Sequence, residues 1–295
     1  MNLLRQMDYT KRIANKYKLD NCIGNGSFGN VYKGHNIKNN ELIAIKLEDK
    51  RTPYKMLKRE TSILKYLHEH SCRSIPYVFW FGNYDNYMGL VMTYYEGSLY
   101  DYMNSKSISE NKINSIIIQC IRIVESIHVN FVIHRDIKPH NFMLKNGELY
   151  LIDFGLSTFY IDDQQIHISN NISDNIVGTP IYISNFIHDG NTPSRRDDII
   201  SIGYIYIILY AQHLPWDSLY NNNTDNTNIT EINILHDKNI QRKVLKSYDN
   251  IIQTCSSINE QILNFFKICL IYDFIDTPNY DFLCCTIANN TKIIN

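Results

Sequence analysis

The hydrophobic pattern of the chain changes its period near Gly97, and this change bounds the fold more tightly than any other feature. Up to that point the apolar runs are short. Residues 19–23, 30–34, 42–47, 77–80 and 90–93 read as strands. A single helical spacing interrupts them, formed by Met56, Glu60, Ile63, Leu64 and Leu67. Beyond Gly97 the period becomes helical. Ile113, Ile116, Ile117, Cys120, Ile121, Val124 and Ile127 fall on one stripe of a long helix. A hairpin is expected at 142–152, turning at Asn146-Gly147, because both turn positions accept positive φ. Residues 199–214 are apolar all round but too short to span a bilayer, so they read as a buried helix. The expected class is α+β: a small, mostly β lobe with one helix, then a larger, mostly α lobe. The expected boundaries are a short N-terminal extension over 1–16, a first lobe over 17–93, a hinge over 94–97, a second lobe over 98–288 and an end segment over 289–295.

Composition excludes several functions. With 29 Lys+Arg against 30 Asp+Glu the chain lacks the basic field that a nucleic-acid binder needs. At 44% hydrophobic it is too apolar for a disordered chain. The seven cysteines show no C-x-x-C pair, so neither a zinc site nor a disulfide framework is indicated, and a reducing compartment fits. Residues 1–16 hold no signal-like apolar run, and Asn2 offers no myristoylation glycine. The expectation is a cytoplasmic protein, with nothing against the nucleus, acting as a monomer without membrane or nucleic-acid partners. The Asn/Thr-rich tract 221–230 reads as a surface loop.

Four motifs carry chemistry. Gly24-Asn25-Gly26-Ser27-Phe28-Gly29-Asn30-Val31, preceded by Ile23, is a glycine-rich turn between two strands; glycines allow phosphate oxygens to approach backbone N–H groups. A plain tight hairpin would look the same. A dinucleotide-binding turn should lead into a helix, and here a strand follows. Ala44, Ile45 and Lys46 lie on the next strand. A strand lysine is ordinarily solvated, but Glu60 follows fourteen positions later on a helix, and a Lys–Glu pair would hold the ammonium against phosphate oxygens. The run from His134 to Asn141 puts Asp136, Lys138 and Asn141 on one short loop, which suits a base, a phosphate-neutralising cation and a metal ligand. Asp153-Phe154-Gly155 comes seventeen positions after Asp136 and offers a hard oxygen to Mg²⁺. Each piece alone is weak; in this order and spacing they match the protein-kinase set.

The chain resembles the casein kinase 1 family of serine/threonine kinases from about Tyr17 to Ile287. The likeness rests on Gly26-Ser27-Phe28-Gly29, on residues 45–48 and 131–139, on Ser194 to Asp198 with Ser201 to Tyr204, on Leu214-Pro215-Trp216 and on Asp276 to Tyr280. Ile183-Ser184-Asn185 stands where most kinases carry Ala-Pro-Glu. The resemblance implies a bilobal kinase fold that binds ATP in a cleft and uses Mg²⁺ to phosphorylate protein substrates. It implies adenine against Thr93 to Tyr95, Met92 behind it, and Lys46 paired with Glu60. It implies Asp136 as base or hydroxyl-orienting residue, Lys138 as neutralising cation, Asn141 and Asp153 on Mg²⁺, and Asp198 bracing the catalytic loop.

The chain departs from that family where substrates already carrying phosphate are read. Residues 156–194 contain no Lys or Arg, Ile181 stands in place of an Arg, and Tyr220 in place of a Lys. Phosphate-primed recognition is therefore expected to be weakened, and activity to need no segment phosphorylation. His140 replaces an acidic residue, with a small expected effect. The alternative reading is a pseudokinase acting as a nucleotide- or protein-binding scaffold, which would typically lack one of Lys46, Asp136 or Asp153; all three are present.

Overall fold

A computed structural model of the chain describes residues 12–26, 29–53, 55–105, 107–217 and 231–288, with side chains described throughout except at Gly26 and over 231–237. Ser27, Phe28 and Tyr220 lie outside the described residues, as do most of the N-terminal extension, the Asn/Thr-rich tract and the end segment. The chain divides into two compact units: residues 1–96 with 150–155, and residues 97–149 with 156–295.

The first unit is built on one antiparallel sheet. Its strands are β1 (Arg12–Ile13), β2 (Tyr17–Gly26), β3 (Gly29–Asn36) and β4 (Leu42–Asp49), then, after helix α1 (Met56–Glu69), β5 (Val78–Tyr84) and β6 (Tyr87–Thr93). The spatial order is β1-β2-β3-β4-β6-β5. Alternation of the sheet residues gathers Ile13, Tyr17, Leu19, Tyr32, Ile43, Ile45, Leu47 and Val91 into a buried core. Helix α1 packs against β4, β5 and β6 and buries Ile63, Leu64 and Leu67 of the stripe read from its spacing, while Leu57 rather than the half-buried Met56 fills the first turn. Two further buried positions are polar: Thr61, and Glu60, which is carried inward on the same stripe. The β2–β3 turn closes with Gly26 opposite Gly29. Gly29 has φ +125°, and a Cβ there would stand 2.3 Å from the Leu47 carbonyl oxygen, so only glycine fits.

The second unit is mostly helical. It contains β7 (Gly97–Ser98), α2 (Leu99–Ser105), α3 (Glu110–His128), β8 (Val132–Ile133), β9 (Phe142–Lys145), the start of β10 (Glu148–Leu151), β11 (Thr158–Phe159), α4 (Asn185–His188), α5 (Arg195–Ala211), α6 (Glu231–Leu245), α7 (Tyr248–Ile258), α8 (Glu260–Cys269) and α9 (Tyr280–Ala288). The turn after β9 has Asn146 at φ 54° and Gly147 at φ 85°, as Asn-Gly favours. Helix α5 is buried along nearly its whole length and packs against α3, α7 and α8. Tyr204, Tyr206, Phe265, Phe266 and Trp216 fill the space around it, with the Tyr204 and Trp216 rings edge to face at 4.9 Å. The helix expected over 199–214 thus begins four residues earlier and ends three residues sooner. It starts at Ser194, whose N–H donates to the Asp197 carboxylate at 2.7 Å. It stops because Gln212 turns left-handed at φ 62° and returns its N–H to Ile208. Leu214 remains buried beyond the helix end.

Two structural observations extend the sequence reading. Arg12 and Ile13, part of the stretch read as an extension, pair with Lys18 and Tyr17, and Ile13 is fully buried. Helix α2 and the short β7–β9 pairing of Gly97 with Leu144 and Ser98 with Met143 follow directly on the expected hinge. No described helix is long and apolar enough to cross a membrane.

Candidate active site

In the first unit the residues singled out from the sequence fall on adjacent strands. Ile23, Gly24, Asn25 and Gly26 end β2, and Gly29, Asn30 and Val31 begin β3. Asn25 pairs with Asn30, and Gly24 with Val31. Val31 in turn lies opposite Lys46 on β4. Ala44 and Lys46 are two apart and so share one face of β4. Met92, opposite Ala44, and Thr93 end β6. Ala44, Met92 and Tyr95 are buried, while Ile23 is exposed. The Thr93 hydroxyl accepts the N–H of Tyr77 at 3.0 Å, and burial raises the phenol pKa of Tyr95 against a hydrogen bond with Thr93.

The first ion cluster forms on this frame. The Lys46 ammonium donates to Glu60 Oε2 at 2.7 Å and to Asp153 Oδ1 at 2.8 Å. The side chains of Lys46 and Glu60 are only 7% and 1% exposed, so this pair is removed from water. Burial alone would lower the Lys46 pKa. The carboxylates of Glu60 and Asp153 outweigh it and hold the ammonium above the ordinary lysine value. Burial pushes the Glu60 carboxyl up, and the ammonium opposes it. Asp153 is reached with φ 63°, a conformation that costs a non-glycine residue about 1 kcal/mol or more and is kept where surrounding contacts demand it.

The second cluster lies wholly in the second unit. Asp136 is buried on the loop after β8. Lys138 Nζ donates to Asp136 Oδ2 at 2.8 Å, and Asn141 Nδ2 donates to the same oxygen at 3.1 Å and to the Asp136 carbonyl at 2.8 Å. Thr179 completes the group. Its hydroxyl donates to Asp136 Oδ1 at 2.6 Å and accepts from Lys138 at 2.9 Å. Thr179 was not singled out in the sequence. The signal that could have found it is Gly178 before it. Gly178 has φ +106°, and a Cβ there would lie 2.6 Å from the Arg135 carbonyl oxygen, so the segment can approach the loop only through glycine.

Asp198, near the start of α5, fixes this loop. Its Oδ2 accepts the His134 N–H at 2.7 Å and its Oδ1 the Arg135 N–H at 2.9 Å, while His128 Nε2 lies 3.0 Å from Oδ2. Burial works to raise the Asp198 pKa, but its hydrogen bonds with His128 and the loop prevail and lower it. Arg135 adopts φ 69° and donates through Nε to the Leu156 carbonyl at 2.5 Å. His140 stacks on Tyr100 at 3.9 Å, and burial together with the Lys138 charge lowers its pKa, so it adds no cation near neutral pH.

Asp153 in the first unit and Asn141 in the second each carry an oxygen of the hard kind that divalent cations take. The Asp153 side chain is about one-third exposed. Asn141 engages its Nδ2 with Asp136, and no hydrogen bond among the described residues occupies its Oδ1. Among the described residues no group of three or more His, Cys, Asp or Glu is placed to hold a metal.

Compared with known families, the chain matches over residues 17–284 a family model described as the protein kinase domain.

Proposed function

The chain belongs to the protein kinase domain family, and from that premise we propose that it is a catalytically active serine/threonine kinase of casein kinase 1 type. The α+β fold, with a β-rich N-terminal and a helical C-terminal region, is that of protein kinases. In this reading ATP and a protein acceptor are the substrates and residues 17–93 and 98–288 are the two lobes. The protein acts as a cytoplasmic monomer.

The roles follow from the chemistry of each group. The backbone from Ile23 to Val31 contacts the nucleotide phosphates. Ala44, Met92, Thr93 and Tyr95 contact the adenine. Lys46, kept charged by Glu60, binds phosphate oxygens of ATP. Asp153 and Asn141 would hold Mg²⁺, which when bound neutralises charge on the phosphates. Asp136 orients the acceptor hydroxyl and takes up its proton, and Lys138 balances charge on the transferring group. The carrying observation is that Thr179 engages Asp136 and Lys138 at 2.6 and 2.9 Å, so acid, cation and segment hydroxyl meet at one point. This supports an active enzyme; in this reading its acceptor side needs no prior phosphorylation. The pseudokinase reading is disfavoured because the Lys46–Glu60–Asp153 and Asp136–Lys138–Asn141 groups are both complete.

The absence of Lys and Arg over 156–194, with Ile181 in place of a cation, supports weak use of primed substrates. A peptide library containing serine, threonine and tyrosine acceptors, with and without upstream phosphoserine, tests both proposals. Phosphate is expected on serine and threonine only, with less than about a threefold gain from upstream phosphoserine, since residues 156–194 offer no cation for the charge-assisted bond. Labelled tyrosine would overturn the acceptor class, and a large gain from phosphoserine would overturn the weakened priming.

A further inference from the structure

Lys246 follows α6 and is fully buried, yet no carboxylate among the described residues is bonded to it. Its Nζ donates to the carbonyls of Pro180 at 2.9 Å and Ile183 at 2.7 Å. It lies 3.4 Å from His188 Nε2, and over the rings of Tyr204 and Trp216 at 4.9 and 5.2 Å. An amine taken this far out of water is retained only where its hydrogen bonds are needed. Those bonds go to peptide carbonyls of one short turn.

The two carbonyls between them are held as well. Trp216 Nε1 donates to the Ile181 carbonyl at 2.8 Å, and Ser201 Oγ to the Tyr182 carbonyl at 2.6 Å. Four consecutive carbonyls, 180 to 183, therefore each accept a side-chain hydrogen bond from outside the segment. On its other side the turn is tied to Thr179, whose carbonyl accepts the N–H groups of Tyr182 at 2.8 Å and Ile183 at 3.1 Å. Thr179 is the residue whose hydroxyl joins Asp136 to Lys138. An element whose every carbonyl is pinned holds the residue at its head in one orientation, which the acceptor side of a phosphoryl transfer needs.

We propose that Lys246, with Trp216 and Ser201, forms a carbonyl clamp on residues 180–183 that positions Thr179 and, through it, Asp136 for the acceptor hydroxyl. Lys246 is thus a positioning residue: it touches the peptide backbone and leaves the reacting atoms to others. Burial pulls the pKa of Lys246 well below the usual lysine range and that of His188 to about 3. A neutral amine still has the two N–H groups that the two carbonyls require. The proposal rests on the kinase reading above, and its test separates the two.

Full-length wild type, Lys246→Met and Trp216→Phe are compared by steady-state kinetics with a serine peptide and by amide hydrogen exchange over 179–183. Methionine keeps an unbranched stem, one atom shorter than that of lysine, and removes both donors; phenylalanine keeps the aromatic wall and removes one. For Lys246→Met the expected result is a fall in kcat/KM for the peptide of at least about tenfold, the size of a lost positioning contact. KM for ATP should stay unchanged and exchange over 179–183 should be faster. A merely structural role would lower kcat through the folded fraction and leave peptide KM and local exchange as in the wild type. Wild-type values of peptide kcat/KM and exchange in a folded Lys246→Met would overturn the proposal. If that variant does not fold, wild-type values in Trp216→Phe would do the same. A wild type that phosphorylates nothing would sink the kinase reading, and the exchange comparison would still decide the clamp.

Discussion

Asp136→Asn gives a folded chain that transfers phosphate about a thousandfold more slowly than the wild type, within the range that a positioned acid or base contributes. The carboxamide has the shape of the carboxylate and can still present an oxygen to Lys138, which now donates to Asp136 Oδ2 at 2.8 Å. It cannot take up a proton, and its nitrogen faces donors already aimed at this site. Asn141 donates to Oδ2 at 3.1 Å and the Thr179 hydroxyl to Oδ1 at 2.6 Å. One of these contacts must turn away, so the loss includes orientation as well as basicity. Transfer of labelled phosphate from Mg-ATP to a serine peptide, with a thermal melt to verify folding, measures the effect. Equal, non-zero rates in the two proteins would remove Asp136 from its role. No transfer from either would favour a binding module.

Lys46→Met is expected to lose both activity and stability. It leaves Glu60, with a side chain 1% exposed, as a buried carboxylate with its partner gone. Breaking a buried pair from one side costs about 3–5 kcal/mol, because the desolvation of the remaining charge is uncompensated. Asp153 loses the same ammonium at 2.8 Å, so the charge that Lys46 placed between the two carboxylates is gone. Removing the second charge should restore much of the loss: the Lys46→Met, Glu60→Leu double variant should melt well above the single variant. It should remain as inactive, since no cation returns to the phosphates. Thermal melts and phosphotransfer on the three proteins check both halves. A single variant as stable as the wild type would show that the pair is hydrated or rearranged. A double variant that regained activity would deny Lys46 its phosphate contact.

The sequence was most informative where spacing alone dictates geometry. The helical spacing put Glu60 on one stripe with Leu64 and Leu67, and the run 42–47 put Lys46 on a strand, so a Lys46–Glu60 pair was legible; that Asp153 joins the same ammonium was not. Asn146-Gly147 specified its turn through backbone sterics. Three features were not legible, for different reasons. The end of α5 is set by a left-handed Gln212, where a glycine would have announced it. Thr179 acts across 43 residues on Asp136, a distance at which a hydroxyl carries no local pattern. Lys246 belongs to no motif and was not singled out. Only the packing of Tyr204 and Trp216 reveals that it lies inside.

The short pairing of Arg12 and Ile13 bears on how this polypeptide can be shortened. A fragment begun at Tyr17, where the family match starts, would delete Ile13 from the sheet core and strip the hydrogen-bonded neighbour from the rim of β2. An uncovered rim invites other molecules to dock edge to edge, and the vacated pocket weakens the same region. Expression trials that trim the N-terminal extension should therefore keep residue 12 onward, because Ile13 plugs the sheet core ahead of the residue where the homology begins.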